Sequence, residues 1–175
     1  MIDKKIYDTF YDAVSFAARI IQHIVSPNDS TVLWIPKIPK GKRFVKARKV
    51  LKLLGIEITV RKTYEYECYI VEVRRSGSVK RTKEERLGWL INWLWRNNMG
   101  ELAKVLEILR DVLQKRPRIL RHDDILMLKK FVDLWMLVEA GVLSINVNHC
   151  VFYEDEEAEC VYRGYLYPNL SPNRS

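Results

Sequence analysis

The 175-residue sequence predicts an α+β protein. We expect a small N-terminal α/β unit of order helix–strand–helix–strand–strand, then a C-terminal helical unit with a terminal β-hairpin. Apolar residues recur at helical spacing in several long segments, alternate with polar residues in shorter ones, and are separated by segments rich in Gly, Pro, Ser and Asn. The boundary is expected at Ser76–Ser78, which gives subdomains 1–78 and 79–167 and a flexible tail, 168–175.

The N-terminal unit starts with an amphipathic helix predicted at Ile6–Val25. A short apolar strand follows at Val32–Ile35, and a second helix at Phe44–Leu54. The next strand, Ile56–Lys62, alternates apolar and polar residues as half-exposed strands do. Its hairpin partner, Tyr66–Arg74, is apolar on both faces and is therefore expected at the centre of the sheet.

The C-terminal unit is expected to contain three helices, and the first begins with a predicted capping box at Thr82–Glu85. This helix is apolar almost all round and carries Trp89, Trp93 and Trp95, so it must be covered on several sides, by its own chain or by a partner. The remaining elements are helices at Glu101–Lys115 and Asp123–Ala140, then a hairpin of Val142–Tyr153 with Ala158–Tyr167.

Composition excludes several classes of protein. The N-terminus lacks the apolar core of a signal peptide, and no apolar run is long enough to span a bilayer, so we expect a cytoplasmic protein without membrane contact. Three cysteines are too few for a disulfide scaffold. Abundant Lys, Arg and Glu beside scarce Gln are typical of proteins from hot environments, which indicates a thermophile.

No motif identifies a reaction: the sequence has no Gly-rich phosphate loop, nucleophile elbow or zinc-protease signature. We therefore expect a non-catalytic protein without a cofactor or metal. Cys150 and Cys160 would face each other if the hairpin turn centres on Asp155, as free thiols or as a disulfide, while His149 points away. His23 lies near the end of the first helix, where a positive charge would favour the helix dipole.

The positive charge is concentrated in one segment. Between Lys37 and Arg86, 16 Lys and Arg stand against 6 Asp and Glu, whereas the rest of the chain has a balance of −2. Such a surface attracts polyanions, so DNA or RNA is the expected partner, bound mainly through its phosphates. The alternative is an interaction or inhibitory protein whose basic patch meets an acidic protein. The candidate phosphate-binding residues are Lys37, Lys40, Lys42, Arg43, Lys46, Arg48, Lys49, Lys52, Arg61, Lys62, Arg74 and Arg75.

Aromatic residues lie close to the basic segment. Trp34, Tyr64, Tyr66 and Tyr69 could stack on unpaired bases, which would favour single strands or structured RNA. The position of Trp34 in a short strand favours a place in the core instead. For Tyr64 and Tyr66 the two interpretations are equally supported.

Two coarse resemblances concern element order. Over Val32–Arg75 the order strand, basic loop, helix, strand, strand resembles the Alba family of archaeal nucleic-acid-binding proteins, which implies nucleic-acid binding. The second half resembles a winged helix, with three helices and a hairpin as the wing. Its third helix carries Asp123, Asp124 and Asp133, and acidic residues also form the wing turn, so this half would repel phosphate. We expect it to bind a protein partner or a second copy through the acidic face and the three tryptophans.

A third alternative is a divergent metal-dependent nuclease. The segment Ala47–Arg75 resembles archaeal Holliday-junction resolvases, in which a helix precedes a hairpin that ends in acid-x-Lys. Glu57 and Glu72 could supply carboxylates to a metal. Arg74 stands where that family has Lys, and an always-protonated guanidinium is a poor base.

Overall fold

The computed structural model describes residues 3–24, 30–76, 79–116, 118, 120–139, 143–146 and 165–168. In this part of the chain six helices accompany a three-stranded antiparallel sheet and a second pair of strands, which confirms the α+β class. The elements are α1 (Lys4–Ile21), β1 (Ser30–Ile35), α2 (Lys42–Leu53), β2 (Ile56–Lys62), β3 (Tyr69–Arg75), α3 (Arg81–Arg96), α4 (Gly100–Leu113), α5 (His122–Leu128), α6 (Leu134–Glu139), β4 (Leu143–Asn146) and β5 (Tyr165–Pro168).

The three-stranded sheet has the order β1-β3-β2, with β3 antiparallel to both neighbours. β1 and β2 therefore run in the same direction and are joined by α2, which is a split β-α-β arrangement. The central position of β3 confirms the prediction from its apolar composition. The strand begins at Tyr69 instead of Tyr66, because the preceding residues form a tight connection in which the Cys68 amide donates to the Tyr66 carbonyl at 2.7 Å.

Helices cover one face of this sheet. Asp3 caps α1 by accepting a hydrogen bond from the Lys5 amide at 2.8 Å, and α1 packs on α2, which in turn contacts β2 and α3. The inward-facing sheet residues Ile56, Ile58, Val71 and Val73 are all buried, as are Ala47, Val50 and Leu51 of α2. The residues at alternate positions of the strands point away from these helices and form the outer face of the sheet.

α3 buries one side only. Its buried residues are Leu87, Ile91 and Leu94, whereas Trp89 is 68% exposed. Its own chain therefore does not cover the helix on several sides, and cover by a partner stays a prediction. The predicted capping box is wrong. The helix begins at Arg81, so Thr82 lies inside its first turn, and the N-cap residue, Lys80, forms no capping side-chain hydrogen bond.

The chain separates into two compact units, 1–106 and 107–175, so α3 belongs to the first unit and α4 crosses the division. The sequence places this division earlier, at Ser78. In the second unit the predicted helix Asp123–Ala140 is interrupted between α5 and α6. The Asp133 carboxylate accepts a hydrogen bond from the Trp135 amide at 3.0 Å and so caps a new helix.

The two short strands of the second unit pair antiparallel, with Leu143 opposite Pro168. The antiparallel strand pair predicted at the end of the chain is therefore present in part. The acidic turn, the tail after Pro168, His149, Cys150 and Cys160 lie outside the described residues. Cys68, in the first unit, is a free thiol.

Candidate nucleic-acid interface

Five basic residues surround a groove between α1 and α2. They come from the first turn of α1, from the segment 36–41 and from the start of α2: Lys5, Lys40, Lys42, Arg43 and Lys46. The groove has a volume of about 670 Å³, and Ile6, Thr9 and Phe10 complete its lining. None of these described lining residues is acidic. We call this feature the α1–α2 groove.

The start of α2, whose first residues line the groove, has no side-chain cap. Gly41, the N-cap residue, has φ 62° and ψ −131°, and no side chain caps the helix. A side chain with a Cβ rarely adopts such backbone angles, so glycine suits this position. The first amides of a helix have no partner within it, and with the helix dipole they favour an anion. The amides of Lys42 and Arg43 therefore add to the charge of their own side chains.

Two of the five cations are held by neighbours. Arg43 forms an ion pair with Asp12 of α1. The Lys46 ammonium lies 4.9 Å from the centre of the Phe10 ring, a cation–π contact that fixes the side chain at the floor of the groove. Lys5, Lys40 and Lys42 are exposed. The groove keeps a clear excess of positive charge, because Asp12 balances only one of its five cations.

The other basic residues of α2 lie on its solvent side. Arg48, Lys49 and Lys52 are exposed, and the exposed Val45 lies among them. Lys37, also exposed, lies in the segment 36–41. The predicted cluster is therefore divided between the groove and the outer surface of α2.

The four predicted residues of the hairpin have different environments. Arg61, Lys62 and Arg74 are exposed, and Arg61 pairs with Glu72 at 3.4 Å. Arg75 is only 7% exposed, because it lies on the inward-facing side of β3 together with Val71 and Val73. Little of its side chain is therefore accessible to the predicted phosphate.

The exposure of the aromatic residues differs from the prediction more than that of the basic residues. Trp34 is 56% exposed on the outer face of the sheet, so its predicted place in the core is wrong. Its ring meets that of Tyr66 edge-to-face, with centroids 5.8 Å apart. Tyr64 is 97% exposed and Tyr69 is half-buried.

The sequence interpretation also missed Lys5, Ile6 and Thr9 of the groove. A signal was present: Lys5 and Thr9 are one helical turn apart, away from the apolar stripe of the first helix. Nothing in the sequence says that α2 packs beside that turn.

The three tryptophans of α3 do not form one surface. Trp93 packs on Phe10 with ring centroids 5.1 Å apart, and the Trp95 ring lies across Gly100. Trp95 remains partly exposed, and Trp89 largely so. Intramolecular packing thus accounts for Trp93 and part of Trp95, and the case for a partner contact rests mainly on Trp89.

Each of the two carboxylates proposed for a nuclease has an arginine opposite or beside it on the sheet. Glu72 pairs with Arg61, and Glu57 stands opposite Arg74 in the β2–β3 register. No group of three or more His, Cys, Asp and Glu side chains suited to a metal occurs among the described residues. Within the part of the chain that the structure describes, Glu57 and Glu72 thus lack a third metal-binding side chain beside them, and the nuclease alternative stays a prediction.

No protein-family model, curated protein or solved structure matches this chain. In the described ranges, no helix has the combination of length and apolarity that crossing a membrane requires.

Proposed function

We propose that the chain is a non-catalytic nucleic-acid-binding protein whose α1–α2 groove takes backbone phosphates. The observation that carries this proposal is the convergence of Lys5, Lys40, Lys42, Arg43 and Lys46, from three separate segments, on one groove. Like charges brought together in this way repel one another, and a polyanion relieves that repulsion. The uncapped start of α2 supplies amides of the kind that bind phosphate oxygens.

The charge on the outer surface of α2 extends the same interface. Arg48, Lys49 and Lys52 are exposed next to the groove and give a polymer more contacts than a single phosphate needs. A nucleic acid is therefore favoured over a small anion. Phosphate contacts position a nucleic acid without selecting a sequence, so binding should depend weakly on base sequence.

A protein with an acidic, amphipathic segment is the second candidate ligand. The lining of the groove favours such a segment, because Ile6, which is 42% exposed, adds an apolar surface to the basic side chains. The two candidates differ in what displaces them. Unlabelled nucleic acid should compete for the groove in the first case, and an acidic peptide should compete far better in the second.

The test removes charge while it keeps the side-chain stems. The triple variant Lys40→Gln, Lys42→Gln, Lys46→Gln leaves the Arg43–Asp12 ion pair in place. The matched control, Lys80→Gln, Arg86→Gln, Arg96→Gln, removes three exposed charges outside the groove. We expect the groove variant to lose affinity for labelled oligonucleotides at least tenfold more than the control.

The salt dependence gives a second readout of the same variants. Each lost phosphate contact lowers the magnitude of the slope of log affinity against log salt by about 0.7–0.9, so the three substitutions of the groove variant should lower it by about 2 to 3. If the groove variant and the control have the same affinity and the same salt dependence, the groove is not the nucleic-acid-binding site. A third variant, Arg48→Gln, Lys49→Gln, Lys52→Gln, measures how far the interface extends along α2.

A further inference from the structure

The outer face of the three-stranded sheet combines apolar, aromatic and charged side chains. The register places Trp34, Ile70 and Arg61 in one row across the strands, and Val32, Glu72 and Thr59 in the next. Val32 and Trp34 are both more than half exposed, while Ile70 is half-buried. An apolar strip thus runs along β1 and onto β3 at the surface.

The aromatic pair on this face, Trp34 and Tyr66, has exposed ring surfaces. Trp34 is 56% and Tyr66 61% exposed, and their rings meet at an interplanar angle of 87°. In an edge-to-face pair each ring keeps at least one face that its partner does not cover. The flat faces of nucleic-acid bases stack on such rings, whatever the base sequence.

Charges on the face itself are balanced. Arg61 pairs with Glu72 at 3.4 Å, and Arg74 lies opposite Glu57. Lys62, the last residue of β2, adds an exposed positive charge at the end of the sheet. It follows Arg61 and therefore belongs to the opposite face by the alternation of the strand. This arrangement suits bases on the sheet and phosphates at its end. An acidic protein segment would need the reverse, with charge across the contact area.

The topology brings this face and the α1–α2 groove to the same end of the first unit. β1 ends at Ile35, and the segment 36–41 leads to the start of α2. Because α2 returns the chain to the opposite end of the sheet, its N-terminus lies at the end that carries Trp34. The Arg19 guanidinium donates to the Lys37 carbonyl at 3.1 Å and ties this segment to α1.

We propose that the outer face of the sheet stacks unpaired bases on Trp34 and Tyr66, which makes single-stranded nucleic acid the ligand of this chain. The proposal rests on the function proposed above and specifies its ligand class. One strand would place phosphates in the α1–α2 groove, pass Lys40 and Lys37, and lay its bases on the sheet. In a duplex, paired bases present their edges and not their faces, so a duplex gains nothing from this surface.

The test compares a labelled oligo-dT of about 15 nucleotides, near the upper end of the site size of single-strand-binding domains, with a duplex of equal length. Trp34→Leu keeps apolar bulk without an aromatic ring, and Trp34→Phe keeps a ring. We expect Trp34→Leu and Tyr66→Ala each to weaken oligo-dT binding by about 5- to 150-fold, the equivalent of one lost stack. Trp34→Phe should keep most of the affinity, and duplex binding should change little in every variant.

Trp34→Phe is the matched control, because it changes the same exposed position and keeps an aromatic ring there. Far-UV circular dichroism verifies that each variant is folded. Unchanged oligo-dT affinity in Trp34→Leu and Tyr66→Ala, with binding still lost in the groove variant, would overturn this inference and leave the proposed function intact. Equal losses for oligo-dT and duplex would overturn it as well. Oligo-dT binding that survives loss of the groove charges would instead overturn the proposed function.

Discussion

At the residue scale, the position of His23 in the chain and its surroundings have opposite effects on its pKa. Its place after α1 predicts a favourable charge, but burial lowers its pKa, and the positive charge of Arg19 lowers the pKa further. The folded chain therefore resists protonation at this residue. Burial and the charge of Arg19 thus oppose the favourable effect of the helix dipole on a charged His23.

We therefore expect the stability of the folded state to fall in mild acid. A histidine with a lowered pKa contributes stability above its ordinary pKa of about 6.5, and this contribution is lost as the pH falls toward the lower, folded-state value. An NMR titration should give a His23 pKa below 6.5, and His23→Gln should flatten the pH dependence of unfolding between pH 7 and 5. A His23 pKa above 6.5 would contradict this account.

Asp111 anchors three arginines in the second unit. The carboxylate is 7% exposed and accepts hydrogen bonds from Arg118 at 2.7 Å and Arg110 at 3.3 Å, and Arg116 lies 3.9 Å away. Arg116 and Arg118 lie in the connection between α4 and α5, and both belong to this intramolecular ion-pair cluster.

Asp111→Asn should destabilise the protein by about 1–3 kcal/mol, because it removes the negative charge that these guanidinium groups surround. Urea unfolding measures the change. The control is Asp123→Asn, at an exposed position, which should stay within about 0.5 kcal/mol of the unchanged protein. Equal stability of the two variants would show that the cluster contributes nothing.

At the element scale, the junction between α2 and β2 depends on Gly55. Its φ is +85°, and a Cβ there would lie 2.8 Å from Cγ2 of Val79. Gly55→Ala should therefore cost about 1–2 kcal/mol in the free energy of unfolding. Gly88→Ala is the matched control: no atom lies within 4 Å of its added Cβ, and its place inside α3 predicts a gain of up to about 1 kcal/mol. A thermal melt that ranks the two variants in the opposite order would contradict the assignment of this turn.

The exposed side of α3 bears on the predicted dimer or protein partner. Trp89 is the tryptophan of this helix with the most exposed surface. If a second copy binds there, Trp89→Ala should shift the sedimentation coefficient toward the monomer, whereas Trp93→Phe, which preserves the contact with Phe10, should not. If the unsubstituted protein sediments as a monomer at high protein concentration, the homodimer is excluded.

Some of these elements were predictable and others were not, for physical reasons. The alternation in β2 and the apolar composition of β3 predicted their places, because apolar residues at successive positions favour a central strand and alternation favours a half-exposed one. Trp34 could not be placed, since a strand pattern gives two faces without saying which one the helices cover. The break after α5 was readable in principle, because Asp133 is a favoured N-cap residue.

At the scale of the whole molecule, charge is distributed between the two units. Residues 1–106 contain 21 Lys and Arg against 11 Asp and Glu, whereas residues 107–175 contain 9 against 11. The sequence alone identified the basic region. It could not assemble the groove, because Lys5 lies 35 positions before Lys40 and only the packing of α1 on α2 brings them together.

The central claim is tested most directly by fluorescence anisotropy of a labelled single-stranded oligonucleotide titrated with the protein at several salt concentrations. We predict binding whose logarithmic affinity falls steeply and linearly with the logarithm of the salt concentration, because the cations of the groove displace counterions from phosphates. Failure to bind at low salt, or an affinity that is independent of salt, would contradict the account.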